Sequence, residues 1–205
     1  MAAYGLLRAS YVPPAPIREL RDLTRARAIV VRDRTRQIQR LEKFLESSGI
    51  KLSSVVTSLT GMSSRAMLDA LVAGERDPDV LAALAKGKLK SKIPELVQAL
   101  TGRFGEHHTF LTRLYLKQID AHTAMVGDLT ARIEESMEPF RLTREVLATI
   151  PGVSTLVADV IIAETGADMN VFPTAGHLAS WAGVRDQTNP RAGSNPPKPC
   201  RGTNI

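Results

Sequence analysis

Two long segments with few helix-breaking residues constrain the fold more than any other feature of the sequence. Residues 17–48 contain neither glycine nor proline. Apolar side chains recur there at three-, four- and seven-residue steps, which places them on one face of a helix: Ile17, Leu20, Leu23, Val31, Ile38, Leu41 and Leu45. Thr24, Arg27 and Arg34 interrupt this stripe. We predict a long amphipathic helix that ends at Ser47-Ser48-Gly49.

A second long helix is predicted over residues 106–138, before Pro139. Its apolar face is expected at Leu111, Leu114, Gln118, Ala121, Met125, Leu129 and Ile133. Each helix leaves an apolar stripe that needs cover, so we predict an all-α fold in which the two form an antiparallel coiled-coil hairpin. Short helices in residues 52–104 form a small cap on the hairpin, and we expect them to begin at Ser63-Ser64, Asp77-Pro78 and Pro94-Glu95.

The two ends of the chain differ from its helical middle. Residues 1–16 finish with three prolines in four positions and predict an extended lead-in. Residues 185–205 hold four prolines and few apolar residues, which predicts a disordered tail. The single cysteine, Cys200, favours a reducing compartment. We find neither a secretory signal nor a run of about 20 apolar residues, and expect a cytoplasmic protein of a prokaryote with no membrane partner.

Positive charge is concentrated in one segment of the chain. The net charge is +6, and residues 17–43 contain nine basic and four acidic side chains. Arginine there, at Arg25, Arg32, Arg36 and their neighbours, favours contact with a nucleic-acid backbone. The alternative is a solvated face of the coiled coil.

Residues 145–166 predict two helices joined by a tight turn at Ile150-Pro151-Gly152-Val153. Ser154 is expected to cap the second helix, with Ala158 allowing close approach and Val157, Ile161 and Ile162 supplying apolar contact. The pattern resembles the helix-hairpin-helix element of DNA-handling proteins, where backbone N–H groups at a helix N-terminus contact phosphate. We therefore take Pro151, Gly152, Val153 and Ser154 as candidate DNA-binding residues over a compact unit at 141–184. A plain helical hairpin is the alternative.

Other chemistry-bearing residues do not form a recognisable site in the sequence. His107, His108 and His122 lack a spacing typical of metal ligands, and Cys200 and Ser194 lack an evident base. We assign no catalytic residue and no metal ligand.

The segment Phe172-Pro173-Thr174-Ala175-Gly176-His177-Leu178-Ala179-Ser180-Trp181-Ala182-Gly183-Val184 follows the predicted hairpin directly. Together with "LLRASYVPPAPIRELRDLTR", "AMLDALVAGERDP" and "LAKGKLKSKIPEL", it resembles the insertion-sequence transposases of the IS-one-ten family. The resemblance runs from about Leu6 to Val184. It implies a DNA recombinase that binds DNA and a guide RNA and has a metal-dependent acidic N-terminal domain that uses a divalent ion such as Mg²⁺. We also expect the chain to form a homo-oligomer through the coiled coil.

The sequence departs from the family pattern at both ends. The resemblance implies an acidic domain before residue 1 and an Asn-Glu-Ser-Ala-Gly segment after Val184, and neither is present. With suitable codons, the neighbouring reading frame of Gln187–Lys198 encodes Asn-Glu-Ser-Ala-Gly. We interpret residues 185–205 as out of frame, and the chain as a transposase fragment that does not cut or join DNA on its own. The alternatives are a non-catalytic helical module for DNA binding or dimerisation, and a coiled-coil adaptor without a nucleic-acid role.

Overall fold

The computed structural model of the chain describes residues 12–182, and these residues contain helices and no strand. The eight α-helices of this part are α1 Ala15–Ser47, α2 Met62–Ala73, α3 Pro78–Ala83, α4 Ile93–Leu100, α5 Glu106–Met137, α6 Arg141–Ala148, α7 Thr155–Thr165 and α8 Ala175–Trp181. Short 3-10 segments occur at Leu52–Ser54, Gly87–Lys92, Glu138–Phe140 and Met169–Val171. The predicted all-α class is confirmed, and the predicted tail at 185–205 lies outside the described residues.

The chain divides into two compact units, and the larger one is formed by Pro14–Glu164. It contains the hairpin of α1 and α5, the cap of α2 to α4, and α6 with nearly all of α7. The sequence predicts a separate compact unit at 141–184. The compact unit continues to Glu164 because Ile162 and Ala163 are fully buried against α1 and α5.

Helices α1 and α5 run antiparallel, as predicted, and two polar pairs fix their register. The Nε of Arg27 donates to the Oγ1 of Thr130 at 2.9 Å, and the Nε of Arg34 donates to the Oγ1 of Thr123 at 2.7 Å. The partners are seven residues apart on both helices and run in opposite directions. The arginines that interrupt the apolar stripe of α1 therefore lie in the seam between the helices, where their side chains are half-buried.

Apolar clusters close the seam at both ends. At the cap end, Leu41 and Leu45 of α1 pack with Leu116 and Ile119 of α5 and with leucines of the cap, among them Leu68, Leu71, Leu81 and Leu96. At the other end lies a cluster of Ile17, Leu20, Ile133, Met137, Ile162 and Ala163. Complete burial of one such side chain stabilises the fold by about 1.5–3 kcal/mol. The hairpin is therefore held by its ends, with a polar section between them.

The predicted apolar face of α5 is wrong at three of its seven positions. Leu114 and Met125 are 43% and 50% exposed, and Ala121 is exposed as well. The buried residues of α5 are Thr112, Leu116, Ile119, Ile133 and Met137. Threonine occupies Thr112, Thr123 and Thr130 on this face, so hydrophobicity alone pointed to the neighbouring face.

The cap confirms two predicted helix starts and corrects a third. Asp77 caps α3 by accepting from the N–H of Asp79 at 2.9 Å, and Pro94 lies in the first turn of α4. The predicted Ser63-Ser64 cap is wrong, because α2 already begins at Met62 with Gly61 as its N-cap residue. The Oγ of Ser63 instead accepts from the N–H of Lys86 at 2.9 Å and joins two parts of the cap.

Two glycines of the hairpin predict opposite effects of the same substitution. A Cβ at Gly102 would lie 2.6 Å from the carbonyl oxygen of Ser48, whereas a Cβ at Gly127, inside α5, would meet nothing within 4 Å. We expect Gly102→Ala to lower the free energy of unfolding by about 1–3 kcal/mol. Gly127→Ala should raise it by about 1 kcal/mol, because alanine favours the helix. Urea denaturation measures both, and shifts of the same sign would contradict this account of the packing.

Candidate nucleic-acid interface

Helices α6 and α7 are joined by a tight turn, as the sequence predicts. The N–H of Val153 donates to the carbonyl of Ile150 at 3.0 Å, which closes a four-residue turn around Pro151 and Gly152. Gly152 has a φ of +87°, a conformation that favours glycine. The Oγ of Ser154 accepts from the N–H of Val157 at 3.4 Å and caps α7. The prediction of a Pro-Gly turn with a serine cap is confirmed.

The turn and the start of α7 present free backbone donors. The amides of Gly152, Ser154 and Thr155 donate to no acceptor among residues 12–182. The amide of Val153 is used inside the turn, so this predicted contact residue does not offer its N–H to a ligand. Unpaired amides at a helix N-terminus lie at the positive end of the helix dipole and favour an anion.

The contact between α6 and α7 differs in part from the predicted one. Ala158 and Ile162 are fully buried, as expected of residues that bring two helices together. Val157 is 42% exposed and does not supply the expected apolar contact. A polar pair contributes to the contact between α6 and α7 instead. Arg144 of α6 lies beside Asp159 of α7, and their side chains are 17% and 5% exposed.

Arg144 joins three helices. Its Nη1 and Nη2 donate to the two carboxylate oxygens of Glu134 on α5 at 2.6 and 2.8 Å. Its Nη2 also donates to Oδ2 of Asp159 at 3.0 Å, and its Nε lies 2.6 Å from Oδ1 as an ion pair without hydrogen-bond alignment. The bond with Glu134, and then the one with Asp159, raises the pKa of the Arg144 guanidinium, and the pKa of Glu134 is lowered by the same bond. Sequence reasoning missed this network, although one aspartate within the apolar run of α7 was a signal for it.

Two arginines of α1 hold the C-terminal end of α7. The Nη2 of Arg21 donates to the carbonyl of Glu164 at 2.8 Å, and its Nε donates to the carbonyl of Ala163 at 3.1 Å. Arg25 donates to both carboxylate oxygens of Glu164 at 2.8 Å, and this bond raises the pKa of Arg25. Cations at a helix C-terminus satisfy its last carbonyls and offset the dipole. Arg25, predicted to bind DNA, thus also positions α7.

The outer face of α1 carries a basic stripe, which we define as Arg18, Arg25, Arg32, Arg36, Arg40 and Lys43. All six side chains are exposed. At 3.6 residues per turn they fall within a sector of about 80°, over about 37 Å of helix. Arg36 donates to Asp33 at 3.0 Å, and Arg32 has no partner in the described part of the chain. The predicted residues Arg25, Arg32 and Arg36 therefore share one surface.

Two of the histidines make contacts within the helical fold. The Nδ1 of His108 accepts from the N–H of Gly105 at 3.3 Å at the start of α5, and its ring lies 5.5 Å from that of Phe44. The Nδ1 of His122 lies 2.7 Å from the carbonyl oxygen of Gln118. No group of three or more His, Cys, Asp or Glu side chains within 12–182 is placed to hold a metal ion.

The described part of the second unit contains a short 3-10 segment and α8. Asp168 accepts from the N–H of Asn170 at 2.9 Å, and Thr174 caps α8 by accepting from the N–H of His177 at 3.3 Å. The rings of Phe172 and Trp181 lie 5.4 Å apart. In residues 12–182 no helix is long and apolar enough to cross a membrane.

Comparison with known proteins relates this chain to mobile elements. Residues 144–198 match the model of the transposase IS116/IS110/IS902 family. A curated relative, the insertion element IS900 uncharacterized 42 kDa protein of Mycobacterium paratuberculosis, is 32% identical over 184 residues. The match covers 81% of this chain and 45% of that protein, so the chain spans about half the length of this relative. No solved structure matches the chain.

The family match begins within α6 at Arg144, includes the turn, α7 and α8, and runs past Val184 to residue 198. It therefore enters the segment interpreted above as out of frame, and that interpretation stays a prediction.

The Arg144 network predicts a large difference between two arginines on one helix. Arg144→Ala leaves the carboxylate of Asp159 buried without its partner, and we expect the free energy of unfolding to fall by about 2–4 kcal/mol. Arg141→Ala, three residues away, removes exposed pairs with Glu138 and Glu145 and should change it by about 0.5 kcal/mol or less. Chemical denaturation of both variants tests this, and equal losses would exclude a special role for Arg144.

Proposed function

We propose that the chain acts in DNA transposition by binding nucleic acid through two surfaces of the unit Pro14–Glu164, because residues 144–198 match the model of the IS116/IS110/IS902 transposase family. The first surface is the basic stripe of α1. The second is the turn between α6 and α7. The observation that carries the proposal is that the family-matched segment begins with a helix pair whose connecting turn offers unpaired amides.

The basic stripe supports contact with phosphates. Arg18, Arg32, Arg40 and Lys43 have no hydrogen-bond or ion-pair partner among the described residues, so their charges are available to a polyanion. Arg25 has Glu164 as a partner and remains exposed, so it contributes less free charge. Phosphate contacts position a nucleic acid without reading its sequence. The proposed binding is therefore independent of sequence and sensitive to salt.

The turn supports a different kind of contact. Pro151 and Gly152 are exposed, and a side chain at Gly152 would meet nothing within 4 Å, so a backbone phosphate can approach the amides of Gly152 and Ser154. The Arg144 network and the arginines beside Glu164 hold α7 against α5 and α1, which fixes the direction of these donors. A preorganised site loses little entropy when a phosphate binds.

The proposal predicts how affinity depends on salt. In the variant Arg32→Ala, Arg36→Ala and Arg40→Ala, the log–log slope of affinity against salt on a mixed-sequence duplex should flatten by up to about 2.7, about 0.9 per lost phosphate contact. The three residues are exposed and do not contact α7, so the fold should persist. A fluorescence-anisotropy titration measures the slope.

A charge-matched control separates this surface from net charge. The control variant replaces Lys51, Lys117 and Arg132, which are exposed and lie outside the basic stripe. It should leave the slope within error of the parent chain. The turn is tested by Gly152→Val, whose positive φ and branched side chain should weaken binding without changing the slope contributed by α1. A parent-like slope in the triple variant would exclude the basic stripe as a binding surface, and parent-like affinity in Gly152→Val would exclude the turn.

We also propose that the chain pairs with a second copy through α5. Phe110, Leu114 and Met125 are 63%, 43% and 50% exposed and lie on one face of α5, away from the seam with α1. A row of exposed apolar side chains on a coiled-coil helix is typical of an interface. The same face of a second, antiparallel or parallel, copy would cover it.

Pairing through this face predicts that substitutions on α5 change the oligomeric state of the chain in solution. The variant Phe110→Ser and Leu114→Ser should sediment as a monomer at concentrations at which the parent chain is a dimer, because it loses the apolar contact. Met62→Ser and Val80→Ser remove two exposed apolar side chains from the cap and form the control. Sedimentation velocity measures all three proteins. A monomeric parent chain, or a dimer that survives the α5 substitutions, would contradict the proposal.

A further inference from the structure

The cap carries a second concentration of positive charge, which neither the basic stripe nor the turn includes. Lys86, Lys88, Lys90 and Lys92 alternate with other residues in the segment 86–92, which we name the lysine loop. All four side chains are exposed, and none has a partner among residues 12–182. The loop contains no acidic residue, and the first one after it is Glu95. The loop therefore has a net charge of +4.

The lysine loop is an ordered part of the cap and not a free segment. Residues Gly87–Lys92 form a 3-10 helix, which is longer than most such helices. The N–H of Lys86 donates to Ser63 at 2.9 Å, and the Oγ of Ser91 donates to the carbonyl of Lys88 at 2.9 Å. Leu89 packs against the buried cluster at the cap end of the hairpin. The backbone that carries the four lysines is thus fixed before any ligand binds.

The four lysines of the loop repel one another electrostatically unless an anion is near. A 3-10 helix has three residues per turn, so Lys88 and Lys90 leave the helix about 120° to either side of Leu89. Four positive charges within seven residues give this segment a positive potential, which attracts an anion. Lysine is a compact point charge that binds phosphate without selecting its geometry. A polyanion would neutralise all four charges, and it would gain the free energy of counterion release.

We infer that the lysine loop is a separate binding surface for the phosphate backbone of duplex DNA. This inference rests on the proposed function, which makes DNA the polyanion that the chain encounters. The loop lies at the cap end of the hairpin, where Leu41 and Leu116 pack, and the turn between α6 and α7 belongs to the end where Ile17 and Ile162 pack. Helix α1 has 33 residues and is about 50 Å long, so the two ends contact separate stretches of DNA.

The test uses the full chain and a 30-base-pair duplex of mixed sequence. The variant in which Lys86, Lys88, Lys90 and Lys92 are all alanine should flatten the log–log salt slope by up to about 3.6, about 0.9 per contact. A control variant removes the same four charges elsewhere, by alanine at Lys51, Arg103, Lys117 and Arg132, all of them exposed. It should keep the slope of the parent chain. Circular dichroism melting shows whether each variant is folded.

The outcomes separate this inference from the proposed function. If the parent chain binds DNA and the loop variant binds with the same slope, the lysine loop is not a binding surface, and the basic stripe and turn are unaffected. If both four-residue variants flatten the slope equally, net charge is responsible and the inference is overturned. If the loop variant loses binding only to phosphatidylserine vesicles, the partner is a membrane and the inference is again overturned. If the parent chain does not bind DNA at all, both proposals are wrong.

Discussion

The register between α1 and α5 is the constraint on which the rest of the larger unit depends. The cap packs on Leu41, Leu45, Leu116 and Ile119, so its position follows from the pairing of the two helices. At the other end, α7 packs on Ile17, Leu20, Ile133 and Met137. A slip of one heptad step would bring Arg27 opposite Thr123 or Arg34 opposite Thr130 and keep one polar pair, but it would break both apolar clusters. The polar pairs therefore disfavour smaller slips, and the apolar clusters select one register among the heptad steps.

Some arginine side chains in this chain form hydrogen bonds within the fold and others lie exposed at the surface, and amino-acid composition cannot distinguish the two groups. Arg21, Arg27, Arg34 and Arg144 are all less than fully exposed and donate hydrogen bonds within the larger unit. Their planar guanidinium groups suit carbonyl, hydroxyl and carboxylate acceptors at fixed angles. The side chains of the lysine loop have no hydrogen-bond or ion-pair partner among the described residues. An arginine that is paired inside the fold is not available to bind a ligand. The surface that can bind a polyanion is therefore smaller than the net charge suggests.

The sequence predicted the long helices and the Pro-Gly turn because local rules determine them. Absence of glycine and proline defined α1, and Pro151 with Gly152 defined the turn, whose geometry needs no long-range partner. The buried face of α5 was not predictable in the same way, because Thr112, Thr123 and Thr130 replace apolar residues in the seam. The Arg144 network was missed for a related reason: its members, Glu134 and Asp159, are 10 and 15 residues away and meet only after folding.

The same long-range contacts decide how the candidate interface works. The amides of Gly152 and Ser154 can receive a phosphate only if α7 keeps its direction, and a two-helix pair joined by a short turn is too small to fix that direction alone. Arg144 attaches the pair to α5, and Arg21 and Arg25 attach its far end to α1. The helix that carries the basic stripe thus also orients the turn. In the proposed function, an anion along α1 would compete with Glu164 for Arg25, and this ion pair would couple binding at α1 to the position of the turn.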